Sequence, residues 1–239
     1  MAFGLQRVLS EGFERIDVAL ATMGGVVEQQ LADSIHAFSR RDEDLAAAVI
    51  AQDRDTDRHE RAVEQAVIDL LEAKRLAPEN LRRAMTAVKI AAEMERTGDL
   101  AKNIAKRTRS VLAHDPYGRT RNAAAPVVRM AGVASAQLSG ALDALFRSDP
   151  VAASAVREGD TQVDDLYNSV FEELLGVMAE DAAVVSAGTQ IVFVAKNFER
   201  IGDHATNIAE RVHYALTGEE LAGDRPKTDV TDALGVAAG

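Results

Sequence analysis

The sequence predicts an all-α protein built as two tandem up-down three-helix bundles related by an internal pseudo-twofold repeat. Three observations predict it. First, the stretch ERTGDLAKNIAKR at 95–107 returns as ERIGDHATNIAER at 199–211, an offset of 104 from Glu95 to Glu199 that keeps Arg, Gly, Asp, Asn, Ile and Ala in register. A fixed-period repeat means one supersecondary unit built twice. Second, aromatic residues make up only 4% of the chain and Trp is absent, while small and aliphatic residues abound, a mixture suited to close-packed helices. Third, apolar residues recur at alternating steps of three and four along much of the chain, the signature of long helices packed nearly parallel.

The first helix follows from Phe13, Ile16, Leu20, Met23, Val27, Leu31, Ile35 and Phe38, a run of about 30 residues, or roughly 45 Å at the helical rise. Asp42 is placed to cap a second helix, with Asp44 in its first turn; Val49, Ile50, Val63, Ala66, Val67, Leu70 and Leu71 mark its buried side as far as about Lys74. Pro78 suits the first turn of a third helix carrying Leu81, Met85, Val88 and Ala92 and ending near His114. Asp115, Pro116, Tyr117 and Gly118 are turn residues between the halves. The second half repeats the plan. A fourth helix spans about Arg121 to Phe146, and Asp149 with Pro150 caps a fifth with Val163, Leu166, Val170, Leu174 and Val177. A sixth begins near Asp181 and ends at about Thr217 and Gly218. The expected domains are therefore 5–115 and 119–218, with 219–239 a polar, flexible tail.

Each half places two acidic pairs at i, i+4, so that both members of a pair share one helix face. Glu95 and Asp99, with Glu199 and Asp203, lie on the third and sixth helices. Asp53 and Asp57, with Asp160 and Asp164, lie on the second and fifth, at an offset of 107. The change from 107 to 104 puts a three-residue insertion in the connection near 73–81. Like charges at this spacing weaken a helix by a few tenths of a kcal/mol, roughly. A lone pair of this kind is an ordinary solvated face, but duplication together with Gly98 and Gly202 asks for a reason. Each glycine costs about 1 kcal/mol relative to Ala inside a helix unless it lets a neighbouring backbone approach closely, which is the expectation here. Four carboxylates converging in each half would recruit a hard divalent or iron-type cation, Mg, Mn, Fe or Zn. The alternative is a salt-bridge layer using Arg54, Arg58, Arg96 and Arg200. His204, beside Asp203, is a further candidate ligand, and Asn103 and Asn207 share the helical side of the motif acids. His59 reads as exposed, and His36, His114 and His213 as surface residues.

A net charge of −11 argues against nucleic acid or anionic lipid as a partner. With no cysteine, any metal must be held by oxygen or imidazole. The N-terminus, interrupted by Arg7, Glu11, Glu14, Arg15 and Asp17, lacks the apolar core of a signal peptide, and no stretch spans a bilayer, so the expectation is a cytoplasmic protein. The sequence offers no Gly-rich phosphate loop, no nucleophile elbow and no Ser-His-Asp set.

The doubled ERxGDxxxNIA, with the preceding acidic helices and the Pro-x-x-Leu-Arg of Pro78, Leu81 and Arg82, resembles the PhoU family of phosphate-signalling regulators over about residues 5–218. The second half lacks Pro-x-x-Leu-Arg and reads AEDAAVVSAGTQ instead. The resemblance implies two three-helix bundles side by side, a homodimer, and metal held by Glu95, Asp99, Glu199 and Asp203, with Asp53, Asp57, Asp160 and Asp164 as second contributors. It implies a negative regulator, not an enzyme, that links the ATPase of a phosphate ABC transporter to a sensor histidine kinase and works by docking. Two rivals stand against it. A carboxylate-bridged di-metal oxidase needs repeated Glu-x-x-His, and only Glu210 to His213 offers one. A helical adaptor without metal is the other.

Overall fold

The computed structural model describes residues 2–73, 76–159 and 161–221, with the side chains of all of these except 2–6 and 53–55. It is helical throughout, with no strand among the described residues: α1 (Ala2–Arg40), α2 (Glu43–Ala51), α3 (Asp53–Ala73), α4 (Pro78–His114), α5 (Arg121–Arg147), α6 (Pro150–Glu158), α7 (Thr161–Glu180) and α8 (Val185–Thr217), the last preceded by a short 3-10 turn, Ala182–Val184. The expected tail falls almost wholly at 222–239, outside the described residues.

The expected second helix, from Asp42 to about Lys74, is two helices, and so is the fifth. At Gln52 the backbone N–H divides between the carbonyls of Ala48 and Val49, tightening the turn, and a new helix starts at Asp53. At the repeat-equivalent Gly159 the N–H is likewise shared with Ala155 and Val156. The 3.6-residue pattern runs through both breaks, and for that reason it does not reveal them.

Ends elsewhere follow local rules twice over. Asp42 accepts from Leu45 N–H, and Asp149 from Val151 and Ala152 N–H. Just before each stands a residue in left-handed conformation, Arg41 (φ 59°) and Ser148 (φ 53°). The amides then reach back in the pattern of a Schellman cap, Asp42 to Ala37 and Asp149 to Ala144. The connection from α3 to α4 takes residues 74–77, while only Asp181 separates α7 from the 3-10 turn. That difference is the expected three-residue insertion.

In each half three layers pack together: α1, the pair α2–α3 and α4 in the first; α5, the pair α6–α7 and α8 in the second. The halves are fused rather than strung on a linker. The most extensive helix pairing in the molecule is α4 on α8, α1 also meets α5, and one apolar cluster runs through both halves, including Met23, Ile90, Met94, Met130, Leu138, Ile191 and Phe198. α4 and α8 are antiparallel, since Arg82 near the start of α4 lies over Tyr214, and Arg107 near its end bonds Gln190. No helix among the described residues is long and apolar enough to cross a membrane.

Candidate metal centre

The motif acids lie on the partly exposed sides of α4 and α8, each facing the second layer of its own half. In the first half Glu95 and Asp99 on α4 face Asp57 and Glu60 on α3. Burial pushes the Glu95 carboxyl above the usual range, and the charges of Asp99, Glu60 and Asp57 push it further; Lys102 opposes them. Glu60 is raised as well, by burial and then by Glu64 and Asp57. Lys102 Nζ lies 2.7 Å from Asp99 Oδ1.

Both glycines admit a close neighbour, but it is a side chain and not the backbone that the sequence suggests. A Cβ on Gly98 would stand 3.0 Å from Gln30 Oε1 and 3.0 Å from Thr56 Cγ2, and one on Gly202 would stand 2.9 Å from Gln137 Oε1. Gln30 and Gln137 are themselves repeat equivalents, so in each half a glutamine from the first layer is packed against the motif glycine. Gln30 Oε1 accepts from Thr56 Oγ1 at 3.2 Å, and Gln137 Nε2 donates to Gly159 O at 2.9 Å.

The second acidic site differs. Tyr167 stands where the first half has Glu60, and Lys196 stands where it has Ala92. Lys196 Nζ is 3.0 Å from Glu199 Oε1 and 5.0 Å from the centre of the Tyr167 ring. Asp164 and Asp203 are half-buried on α7 and α8. Asp160 lies outside the described residues, as does the side chain of Asp53. Among the described residues no three His, Asp or Glu side chains are grouped tightly enough to hold a metal ion. The first half therefore gathers Asp57, Glu60, Glu95 and Asp99 into one field without closing them into a coordination shell.

Several side chains found other work. His204 is drawn away from Asp203: its Nδ1 lies 2.7 Å from Oε2 of Glu93 across the α4–α8 interface. Asn207 donates to the same oxygen at 3.1 Å, and Arg211 donates to Oε1 at 3.0 Å. Glu93 is 2% exposed. Burial raises its pKa, but the bonds from His204, Arg211 and Asn207 outweigh that and hold it at about 2. Neither Glu93 nor Glu60 was marked by the sequence, because their repeat equivalents are Asn197 and Tyr167. His59 is half-buried rather than exposed. Glu210 pairs with Arg157 at 3.0 Å and His213 Nδ1 faces Glu219 O, so the single Glu-x-x-His does not join the acidic field.

The pattern that defines the PhoU domain matches this sequence twice, at residues 20–108 and at 127–212, one copy on each half. The chain belongs to the PhoU family. Among its PhoU relatives, a phosphate-specific transport system accessory protein PhoU homolog of Caulobacter vibrioides is 42% identical over 220 residues, covering 92% of this chain and 94% of its own. The PhoU of Escherichia coli K12, described as an accessory protein of the same transport system, is 32% identical over 209 residues, 87% of this chain and 85% of that one. The crystal structure of PhoU from Pseudomonas aeruginosa superposes with a TM-score of 0.81 at 31% identity, covering 88% of this chain and 99% of that one. The Caulobacter vibrioides and Escherichia coli relatives are both described as accessory proteins of phosphate-specific transport.

Proposed function

We propose that the chain is a metal-binding negative regulator of phosphate uptake and signalling, which couples a phosphate ABC transporter to a sensor histidine kinase and keeps starvation genes off when phosphate is plentiful. The observation that carries this reading is the doubled acidic motif, set at equivalent places in both halves of a PhoU chain that is 42% identical to a phosphate-transport accessory protein. The partners would be the transporter ATPase and the kinase, the working form a homodimer, and the compartment the cytoplasm.

The donor chemistry fits a hard cation. Glu95 is destabilised as a charged group by burial and by Asp99, Glu60 and Asp57, and a divalent ion relieves that repulsion. Asp57, Glu60, Glu95 and Asp99 would hold the ion in the first half, and Asp164, Glu199 and Asp203 in the second, with Asp53 and Asp160 available beside them in sequence. The ion would supply charge neutralisation, not chemistry: it would lock α3 to α4 and α7 to α8, and so fix the surface offered to the partners. A regulator of this kind shifts a partner between states only by binding one better than the other.

The test has two arms. Deleting the gene should release phosphate-starvation reporters in high phosphate, and restoring the wild-type gene should silence them; unchanged expression on deletion rejects the regulatory reading. Equal manganese content in wild-type protein and in a Glu95→Gln/Asp99→Asn/Glu199→Gln/Asp203→Asn variant would remove the metal from it.

A further inference from the structure

At the joint between the two halves a cavity of about 400 Å³, lined by none of the motif acids, opens between the end of α1, the last turns of α4 and the first turns of α5. Its walls include Phe38, Val111 and Val128 on the apolar side and Arg41, Arg121 and Arg129 on the polar side, with Ser39 and Thr108 contributing hydroxyls. The three guanidinium groups come from parts of the chain up to 88 residues apart, counted from Arg41 to Arg129, and only the fold brings them together. In a chain of net charge −11 such a local excess of cations needs an account.

Among the described residues, Arg121 and Arg129 have no acidic partner. Arg41 alone is engaged: it lies 3.7 Å from Asp115 Oδ2 and donates to the Asp115 carbonyl. The Asp115 carboxylate is occupied elsewhere, accepting from Arg119 N–H, Thr120 N–H and the Thr120 hydroxyl. Burial raises its pKa and these bonds outweigh that, holding it below the usual range. No side chain caps the start of α5, where Arg121 N–H bonds the Gly118 carbonyl and the next two amides are left without a side-chain acceptor. Thr120 is its N-cap, but the hydroxyl that would bind a first-turn amide is given to Asp115. The positive end of a 27-residue helix thus opens beside the arginines, with Arg121, Ala124 and Ala125 on the cavity wall.

We infer that this cavity binds a phosphate-bearing small molecule, its phosphate on Arg41, Arg121, Arg129 and the first turn of α5, and its body on the apolar wall formed by Phe38, Val111 and Val128. Guanidinium forks match phosphate oxygens, and three of them with a helix N-terminus suit a doubly or multiply charged group better than a single carboxylate. The cavity falls in the ordinary size range of small-molecule sites, about 300–1,000 Å³, and leaves room beyond a phosphate for an organic body. Because its walls come from both halves, an occupant would tie them together at their connection.

The site is remote in kind from the acidic fields, so it can be tested with metal removed. In EDTA, calorimetric titration of the full chain with ATP, AMP, inorganic phosphate, adenosine and citrate is the direct measurement. Binding by ATP, AMP or inorganic phosphate is expected, weakening as salt rises, with no heat from adenosine. The ATP and AMP arms against the inorganic phosphate arm distinguish an organic phosphate from the free ion. An Arg121→Gln/Arg129→Gln variant should lose roughly tenfold or more in affinity, the loss of two charge-assisted contacts. Both side chains are exposed, so circular dichroism of the variant should match wild type. Absence of binding by every phosphate compound at millimolar concentration, equal affinity in the variant, or tighter binding of citrate would each overturn the assignment.

Discussion

Glu93 has almost no contact with water, and its carboxylate is satisfied from a different helix by an imidazole, an amide and a guanidinium. A carboxyl held at about 2, against about 4.3 in an unfolded chain, binds fewer protons in the native state, so folding gains from its ionised form. The contribution, about 3 kcal/mol, is fully present above pH 4.5 or so and is lost as pH falls toward 2. Urea unfolding should therefore show Glu93→Gln destabilised by about that amount at pH 7, with the gap to wild type closing steadily between pH 4.5 and 2. A gap that stays constant with pH would show that shape, not charge, is what Glu93 supplies. Glu95 carries the opposite sign. Its raised pKa means that ionisation costs stability at neutral pH, so Glu95→Gln should leave the metal-free protein as stable as wild type or more so. A clear fall in its metal-free melting temperature would contradict the repulsion argued here.

At the scale of elements, the duplicated parts allow the same change to be made in two settings. Ala at Gly98 gains about 1 kcal/mol of helix propensity but drives its Cβ to 3.0 Å from Thr56 Cγ2, a stiff β-branched side chain that is itself buried in α3. At Gly202 the close atom is the end of the flexible Gln137, and Val163 stands at an ordinary 3.5 Å. Gly98→Ala should therefore cost about 1–2 kcal/mol net, while Gly202→Ala stays within about 0.5 kcal/mol of wild type in chemical denaturation. Equal costs would mean that the two glycines are not distinguished by their neighbours. Likewise Ser148→Gly should stabilise by about 1 kcal/mol, because the left-handed cap position asks nothing of glycine and Ser148 is exposed. The helices themselves were legible because their apolar spacing, aspartate caps and Pro78 and Pro150 starts are local signals. The breaks at Gln52 and Gly159 were not, since both sides of each break bury the same stripe.

For the whole molecule, the repeat was both guide and blindfold. It pointed to Glu95, Asp99, Glu199 and Asp203, which do lie at equivalent places, yet it hid Glu93, Glu60 and Lys196, whose equivalents are Asn197, Tyr167 and Ala92. The cavity arginines were equally invisible, being ordinary surface residues until α1, α4 and α5 meet. These unrepeated residues make the two halves unequal. Each half places a lysine on a motif acid, but on different ones. Lys102 meets Asp99, which is 48% exposed, and leaves the half-buried Glu95 among three other acids; Lys196 meets Glu199, which is 14% exposed, and covers Tyr167 where a fourth acid would stand. A divalent ion entering the second half must displace an ammonium already at Glu199; in the first half the ammonium of Lys102 sits on the more exposed Asp99, and Glu95 keeps the repulsion of Asp99, Glu60 and Asp57. On the proposed metal-binding reading, manganese titration of the full chain should resolve a tighter site removed by Glu95→Gln/Asp99→Asn and a weaker one removed by Glu199→Gln/Asp203→Asn. Lys196→Met should strengthen the weaker site alone, because it takes away the competing cation and keeps the apolar stem against Tyr167. If Lys196→Met leaves both affinities where they were, or if the second half proves the tighter, the two sites do not differ by their resident charge, and the field around Glu95 is not what recruits the ion.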